Sequence, residues 1–252
     1  MKTILITGSS RGIGAEIARQ AFLSGAYHVV IQYRTHKERA DALAAMLENI
    51  ARENPERRFG KLLVQYADVT NEADVDALFS AAQAAFGHVD VLVNNAGISS
   101  FRLFTDLTLS EWNETMATNV TGAFLCCRRA LPGMIHEKSG RIVNVSSIWG
   151  LCGSSCEVHY SASKAALIGL TKALAKEVAP SGITVNCVAP GVIDTEMNAA
   201  LKKEDLDALR DETPLGRLGT VSDVAKTVLF LASDDASYLT GQVVSPNGGL
   251  VI

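Results

Sequence analysis

The sequence predicts an α/β fold: a doubly wound parallel sheet of about seven strands with helices on both faces. Two observations carry that expectation. Short runs of branched apolar residues, such as Ile4–Ile6, Val29–Ile31 and Ile142–Val145, recur along the chain. Parallel strands buried on both faces read as near-continuous apolar runs of this kind. Between them lie longer stretches with apolar residues at three- and four-residue spacing, the pattern of an amphipathic helix.

Composition bounds the rest. At 252 residues, with 48% hydrophobic and 20% charged side chains, the chain is long enough to bury a large core in one domain without disulfides. A formal net charge of −4 and the lack of a basic run argue against nucleic acid as a partner. Five cysteines (126, 127, 152, 156 and 187) form no C-x-x-C pair, which fits a reducing, cytoplasmic setting. The apolar stretch at the start is only long enough for a first strand, and no run approaches the ~18 apolar residues of a membrane span.

Taken in order, Ile4–Ile6 is a strand that leads into Thr7-Gly8-Ser9-Ser10-Arg11-Gly12-Ile13-Gly14. The apolar positions Ile17, Ala18, Ala21 and Phe22 then mark a helix. Strand, glycine-rich turn and helix together form the Rossmann-type setting in which backbone N–H groups and a helix N-terminus meet a pyrophosphate. Val29–Ile31 is the next strand. NAD-binding units place an acid about 20 residues beyond the glycines to hold the ribose hydroxyls. Tyr33 and Arg34 stand there instead, and Arg34 together with Arg11 suits a 2′-phosphate.

Residues 36–54 read as a charged helix, Leu62–Val64 as a third strand, and 71–86 as a helix. Asp68 and Val69, at the end of the third strand, are placed to meet an adenine. Val89–Val93 leads to Asn94-Asn95-Ala96-Gly97, where small residues after a buried strand permit close approach of a ligand. Residues 109–137 read as one long helix with Asn119 inside it, and a buried mid-helix asparagine needs hydrogen-bond partners. A strand then ends near Ser147, and a helix follows from Tyr160 to the stop at Pro180-Ser181-Gly182. Ile183–Val188 runs into Ala189-Pro190-Gly191. Residues 194–220 are polar and punctuated by Pro214, Gly216 and Gly219, which suits a mobile lid. A helix at 221–232 and a strand near 242–245 complete a single domain over 1–252.

The chemistry sits between Ser147 and Lys164. Tyr160 and Lys164, four residues apart, share a helix face. A tyrosine titrates near ~10, too high for efficient proton transfer at neutral pH. An ammonium about 4 Å away, at an effective dielectric of about 20, favours the phenolate by roughly 4 kcal/mol, or about three pK units. Ser147, where the strand ends, can donate to a developing oxyanion. Cys152, Cys156 and His159 match no common zinc spacing, so no metal is expected.

These motifs together resemble the short-chain dehydrogenase/reductase family over essentially the whole chain. They comprise T-G-x-x-x-G-I-G at 7–14, N-N-A-G at 94–97, Ser147, Y-S-A-S-K at 160–164 and P-G at 190–191. The resemblance implies Asn119, Ser147, Tyr160 and Lys164 as a catalytic tetrad and NADPH as cofactor. It implies a cofactor site built on Gly8, Ser10, Arg11, Gly12, Ile13, Gly14, Arg34, Asp68, Val69, Asn95, Ala96 and Gly97, with Tyr160, Lys164, Pro190, Gly191, Ile193 and Thr195. G-R-L-G at 216–219, F-L-A-S-D at 230–234, Y-L-T-G at 238–241 and N-G-G at 247–249 are similar to bacterial 3-oxoacyl-[acyl-carrier-protein] reductases of fatty acid biosynthesis. Those are commonly homotetramers, which the apolar end Leu250-Val251-Ile252 would suit.

One stretch departs from that pattern. Trp149, Cys156 and Glu157 stand between serine and tyrosine, in a run similar to elongation factor P 5-aminopentanone reductases. A carboxylate three residues before Tyr160 suits an amine-bearing ketone, whereas an acid at a helix N-terminus is favoured there in any case. Two substrate readings follow: a carrier-bound 3-oxoacyl group and an amino ketone. A third reading, an idle NADP(H)-sensing protein, is permitted by the fold alone.

Overall fold

The computed structural model describes residues 1–196 and 203–252. Seven parallel strands form one sheet in the order β3-β2-β1-β4-β5-β6-β7. They are β1 (Lys2–Ile6), β2 (Tyr27–Tyr33), β3 (Leu62–Tyr66), β4 (Val91–Asn94), β5 (Gly140–Val145), β6 (Ile183–Val188) and β7 (Val243–Val244). Alternate residues of the central strands face opposite layers, and both layers are buried. Ile4, Ile6, Val29, Ile31 and Val143 pack against α1 (Gly12–Leu23), α2 (Lys37–Glu53) and α9 (Val221–Ala232). Leu5, Val30, Leu92 and Ile142 pack instead against α3 (Glu72–Phe86), α5 (Gly122–Glu137) and α7 (Val158–Val178). That double burial is why the strands carry so little polar residue.

The strand order reverses between β1 and β4: β1 pairs with β2 on one side and with β4 on the other, and the sheet grows outward from there in both directions. In doubly wound sheets the crevice at that switch, beyond the carboxyl ends of the strands, is where ligands bind. The turn after β1 and the loops after β4, β5 and β6 converge there.

Four differences from the sequence-based expectations concern the site. The helix expected over 109–137 is divided into α4 (Leu109–Met116), a π-helical turn (Ala117–Thr121) and α5. A π turn adds a residue to the helical ladder and re-aims the side chains it carries. Here it carries Asn119. A short helix, α6 (Trp149–Cys152), fills the segment after Ser147. Helix α7 starts at Val158, so Tyr160 lies within its first turn. The stretch expected as a polar lid contains α8 (Lys203–Glu212). Acids Glu204 and Asp205 in its first turn and Arg210 in its last complement the helix dipole, a signal the largely polar composition obscured. Residues 197–202 of that expected lid lie outside the described residues. No described helix is long and apolar enough to cross a membrane.

Candidate active site

A cleft of about 640 Å³ opens at the switch point, within the size range of small-molecule and cofactor sites. Its floor is the turn between β1 and α1. Gly8 has φ +64°, and a Cβ there would stand 2.9 Å from the Cα of Ala96, so only glycine lets this turn lie against the loop after β4. That loop braces the turn in return. The side-chain nitrogen of Asn95 donates to the carbonyls of Thr7 (2.9 Å) and Gly8 (3.1 Å). The hydroxyl of Thr7 accepts from the backbone N–H of both Asn95 and Ala96 at 3.0 Å. Gln32, which sequence reading passed over, accepts from the Gly8 N–H at 2.6 Å and donates to the Ala67 carbonyl at 2.6 Å. Its position directly before Tyr33, at the end of β2, was the available signal.

Helix α1 begins at Gly12 with no side-chain cap and no acid in its first turn. Its unpaired N–H groups and positive dipole end therefore face the cleft unopposed, which fits a phosphate. Ser10, Arg11, Gly12 and Ile13 line this end, with Arg34, Val69, Asn95, Ala96 and Gly97 beyond them. Pro190, Gly191, Ile193 and Thr195 form the opposite edge. Two residues expected on the cofactor side stand behind it. Gly14 is buried inside α1, and Asp68 lies off the wall, where it accepts from Thr70 and pairs with Arg34 at 3.8 Å. An acid that close to Arg34 acts on the arginine, and Val69 takes the place beside the cleft.

At the other end, Ser147, Tyr160 and Lys164 come together as expected. The Ser147 hydroxyl accepts from the Trp149 N–H at 3.2 Å and stands beside the Tyr160 phenol, where it favours the phenolate. The Lys164 ammonium donates to the Val145 carbonyl at 2.9 Å and lies 5.5 Å from the Tyr160 ring centroid. The electrostatics depart from the expectation that Lys164 lowers Tyr160 toward neutrality. Burial pushes the phenol up from its ordinary value, the neighbouring Ser147 hydroxyl opposes that, and the Glu157 charge adds to it. Burial likewise lowers Lys164 to about 8. Desolvation disfavours the charged form of each group, and at this separation it outweighs their mutual attraction.

Asn119 does not line the cleft but stands directly behind it, 1% exposed. Its Oδ1 accepts from the Ile98 N–H at 2.8 Å, and its Nδ2 donates to the Ile98 carbonyl (3.0 Å) and to Ser163 Oγ (2.9 Å). A Cβ on Gly97 would lie 3.2 Å from Lys164 Nζ and 3.3 Å from Asn119 Oδ1, so that glycine keeps the two polar groups close to the cleft. Asn119 thus ties the loop after β4 to α7.

Among the substrate candidates, Trp149 and Glu157 line the cleft. Glu157 is only 6% exposed and accepts a hydrogen bond from Ser99 Oγ, so it is not the solvent-facing helix-end acid that its position alone would suggest. Cys156 is off the wall: its backbone is left-handed at φ +61°, and its carbonyl accepts from the Arg102 N–H. Ser99 and Ser100, which also line the cleft, carried no sequence signal.

Residues 8–251 match the family described as enoyl-(acyl carrier protein) reductase. The chain is similar to the 3-oxoacyl-[acyl-carrier-protein] reductase of Staphylococcus aureus, 41% identical over 249 residues, covering 99% of this chain and 98% of the relative. It is 43% identical to that of Aquifex aeolicus, covering 99% and 97%, and 41% identical to that of Haemophilus influenzae, covering 100% and 98%.

Proposed function

Since the chain belongs to the short-chain dehydrogenase/reductase family, and is thus an oxidoreductase with NADPH as its cofactor, we propose that it reduces a 3-oxoacyl group held as a thioester on acyl carrier protein. The observation that carries the reading is the meeting of Ser147, Tyr160 and Lys164 at one end of a cleft whose other end suits a phosphate. The family description and the relatives name different acyl-carrier-protein reactions; near end-to-end likeness to 3-oxoacyl reductases favours ketone reduction.

NADPH held in the cleft supplies the hydride. The glycine turn and the α1 N-terminus would hold its phosphates, and Gly97, Pro190, Gly191, Ile193 and Thr195 would enclose the nicotinamide side. Ser147 donates to the substrate carbonyl oxygen and steadies the charge that develops there. Tyr160, protonated across the neutral range because burial holds its proton, delivers that proton to the oxygen. Lys164 orients the site from the Val145 carbonyl and, when charged, favours the phenolate left behind. Asn119 holds the loop after β4 in place and completes the route for proton resupply. Arg11 and Arg34 select the 2′-phosphate, with NADPH favoured over NADH by at least tenfold in kcat/KM, about 1.4 kcal/mol. The enzyme works as a cytoplasmic homotetramer, with α8 and the loop to residue 220 closing over the substrate.

The second reading is an amino ketone, of the 5-aminopentanone kind carried on elongation factor P, and Glu157 favours it. A carboxylate buried in the cleft wall is a recognition group for an ammonium, worth roughly 1.5–3 kcal/mol. NADPH oxidation with acetoacetyl-carrier protein against an amine-bearing ketone decides between them. Efficient turnover of the thioester, equally affected or unaffected by Glu157→Gln, supports the first. Turnover of the amino ketone alone, reduced tenfold to a hundredfold by that substitution, supports the second. Turnover of neither leaves the idle NADP(H)-sensing protein as the reading.

A further inference from the structure

Two basic side chains meet one acid across the mouth of the cleft. Arg11, in the glycine turn, donates through Nη1 to Glu196 Oε2 at 3.1 Å. Arg39, on the first turn of α2, donates through Nη1 to both oxygens of the same carboxylate, at 2.7 and 2.8 Å. Glu196 Oε2 is thus shared by guanidinium groups from two separate elements. Glu196 and Arg11 line the cleft together with Arg34, which pairs only loosely with Asp68 at 3.8 Å. The guanidinium groups hold the Glu196 carboxyl below its ordinary range, Arg39 first.

A carboxylate gripped by two arginines marks a place where a phosphate monoester, with more negative charge and a third acceptor oxygen, can bind in its stead. We propose that Arg11, Arg34 and Arg39 form one 2′-phosphate site, in which Arg39 is a further specificity-determining residue and Glu196 is a resident anion that the phosphate displaces. This rests on the NADPH reading given above. Arg39 and Glu196 were invisible as a pair in the sequence, 157 positions apart. Both side chains are largely exposed, at 45% and 58%, so the contact is weak in solvent and readily exchanged for a ligand bearing more charge. Displacement also frees Glu196, on the edge of the cleft opposite the glycine turn, from Arg11 and Arg39, so entry of the phosphate loosens the link between these two sides. NADH, with no 2′-phosphate, leaves Glu196 on its arginines.

Isothermal titration with 2′,5′-ADP and with ADP tests this without catalysis. The wild type is expected to bind 2′,5′-ADP at least tenfold tighter than ADP. Arg39→Ala should weaken 2′,5′-ADP about fivefold, and Glu196→Gln should tighten it about threefold, each leaving ADP within twofold. If the wild type does not distinguish the two nucleotides, the NADPH preference itself fails and this site falls with it. If the wild type distinguishes them but either variant leaves the ratio unchanged, the inference is overturned and the NADPH preference stands. A Glu196→Gln variant that binds 2′,5′-ADP more weakly also overturns it, because the acid would then be positioning the arginines and not competing with the ligand.

Discussion

The two ends of the cleft are built on opposite principles. At the catalytic end three buried polar groups are tied to backbone: Lys164 to the Val145 carbonyl, Ser146 to the Lys164 carbonyl, and Asn119 to both the N–H and the C=O of Ile98. At the outer end Arg11, Arg34, Arg39 and Glu196 are held by exposed ion pairs from four separate segments. Buried polar groups accept one arrangement, because each unmade hydrogen bond is costly. Exposed pairs contribute little and can be rearranged. Proton transfer needs the first kind of construction, and a choice between two cofactors differing by one phosphate needs only the second.

Substitutions at the two ends should therefore fail in different ways. The largest effect is expected for Tyr160→Phe, which keeps the ring packing and removes the proton. Steady-state assay should show kcat lower by about 10²–10⁴-fold, with NADPH binding by fluorescence nearly unchanged. Retention of a tenth of the wild-type rate would remove Tyr160 from the role of acid. Next is Asn119→Ala, which leaves the Ile98 N–H and C=O without their partner. A loss of about 2–3 kcal/mol in urea unfolding is expected, with lower kcat. A variant of unchanged stability would mean the loop after β4 is held by other contacts.

Lys164→Met is expected to act with the opposite sign on stability. Burial lowers Lys164 from the usual lysine value of about 10.4 to about 8, so the unfolded chain binds more protons between those limits. Stability from this group therefore rises with pH through that window, and below it the wild type carries a penalty. Without cofactor, Lys164→Met should be more stable at pH 7 by about 1–3 kcal/mol, a gap that closes as pH approaches 10. Catalysis should be lost together with tight NADPH binding. A variant less stable at pH 7 would contradict the burial argument. The smallest structural effect belongs to the outer end: Arg34→Ala should leave stability within about 0.5 kcal/mol, yet reduce the preference for NADPH over NADH about tenfold.

How much of this was legible in the sequence follows the same division. The strands, the glycine turn, α1, α9, and the meeting of Ser147, Tyr160 and Lys164 were readable, because each depends on local apolar spacing or on a single helix face. Asn119 was readable as a buried asparagine in need of partners, but not the π turn that aims it, since one inserted residue leaves no mark on apolar periodicity. Glu157 and Cys156 are adjacent in sequence, yet one lines the cleft and the other does not. The left-handed backbone at Cys156 separates them, and nothing in a cysteine codon position announces a positive φ. The expected lowering of Tyr160 failed because a pair distance was assumed and the burial of both groups was left out. Arg39 with Glu196, and Gln32 with Gly8, are contacts between distant segments, which only the folded chain brings together.

The most direct test of this division measures kcat/KM for NADPH and for NADH with acetoacetyl-carrier protein as ionic strength rises from 0.05 to about 1 M, a range over which the screening length falls from above 10 Å to about 3 Å. Exposed arginines at the outer end should lose their hold on the 2′-phosphate, so the NADPH-to-NADH ratio is expected to fall at least fivefold, while kcat at saturating NADPH changes by less than twofold. A ratio that stays constant across the range, or a kcat that falls in step with it, would contradict the account.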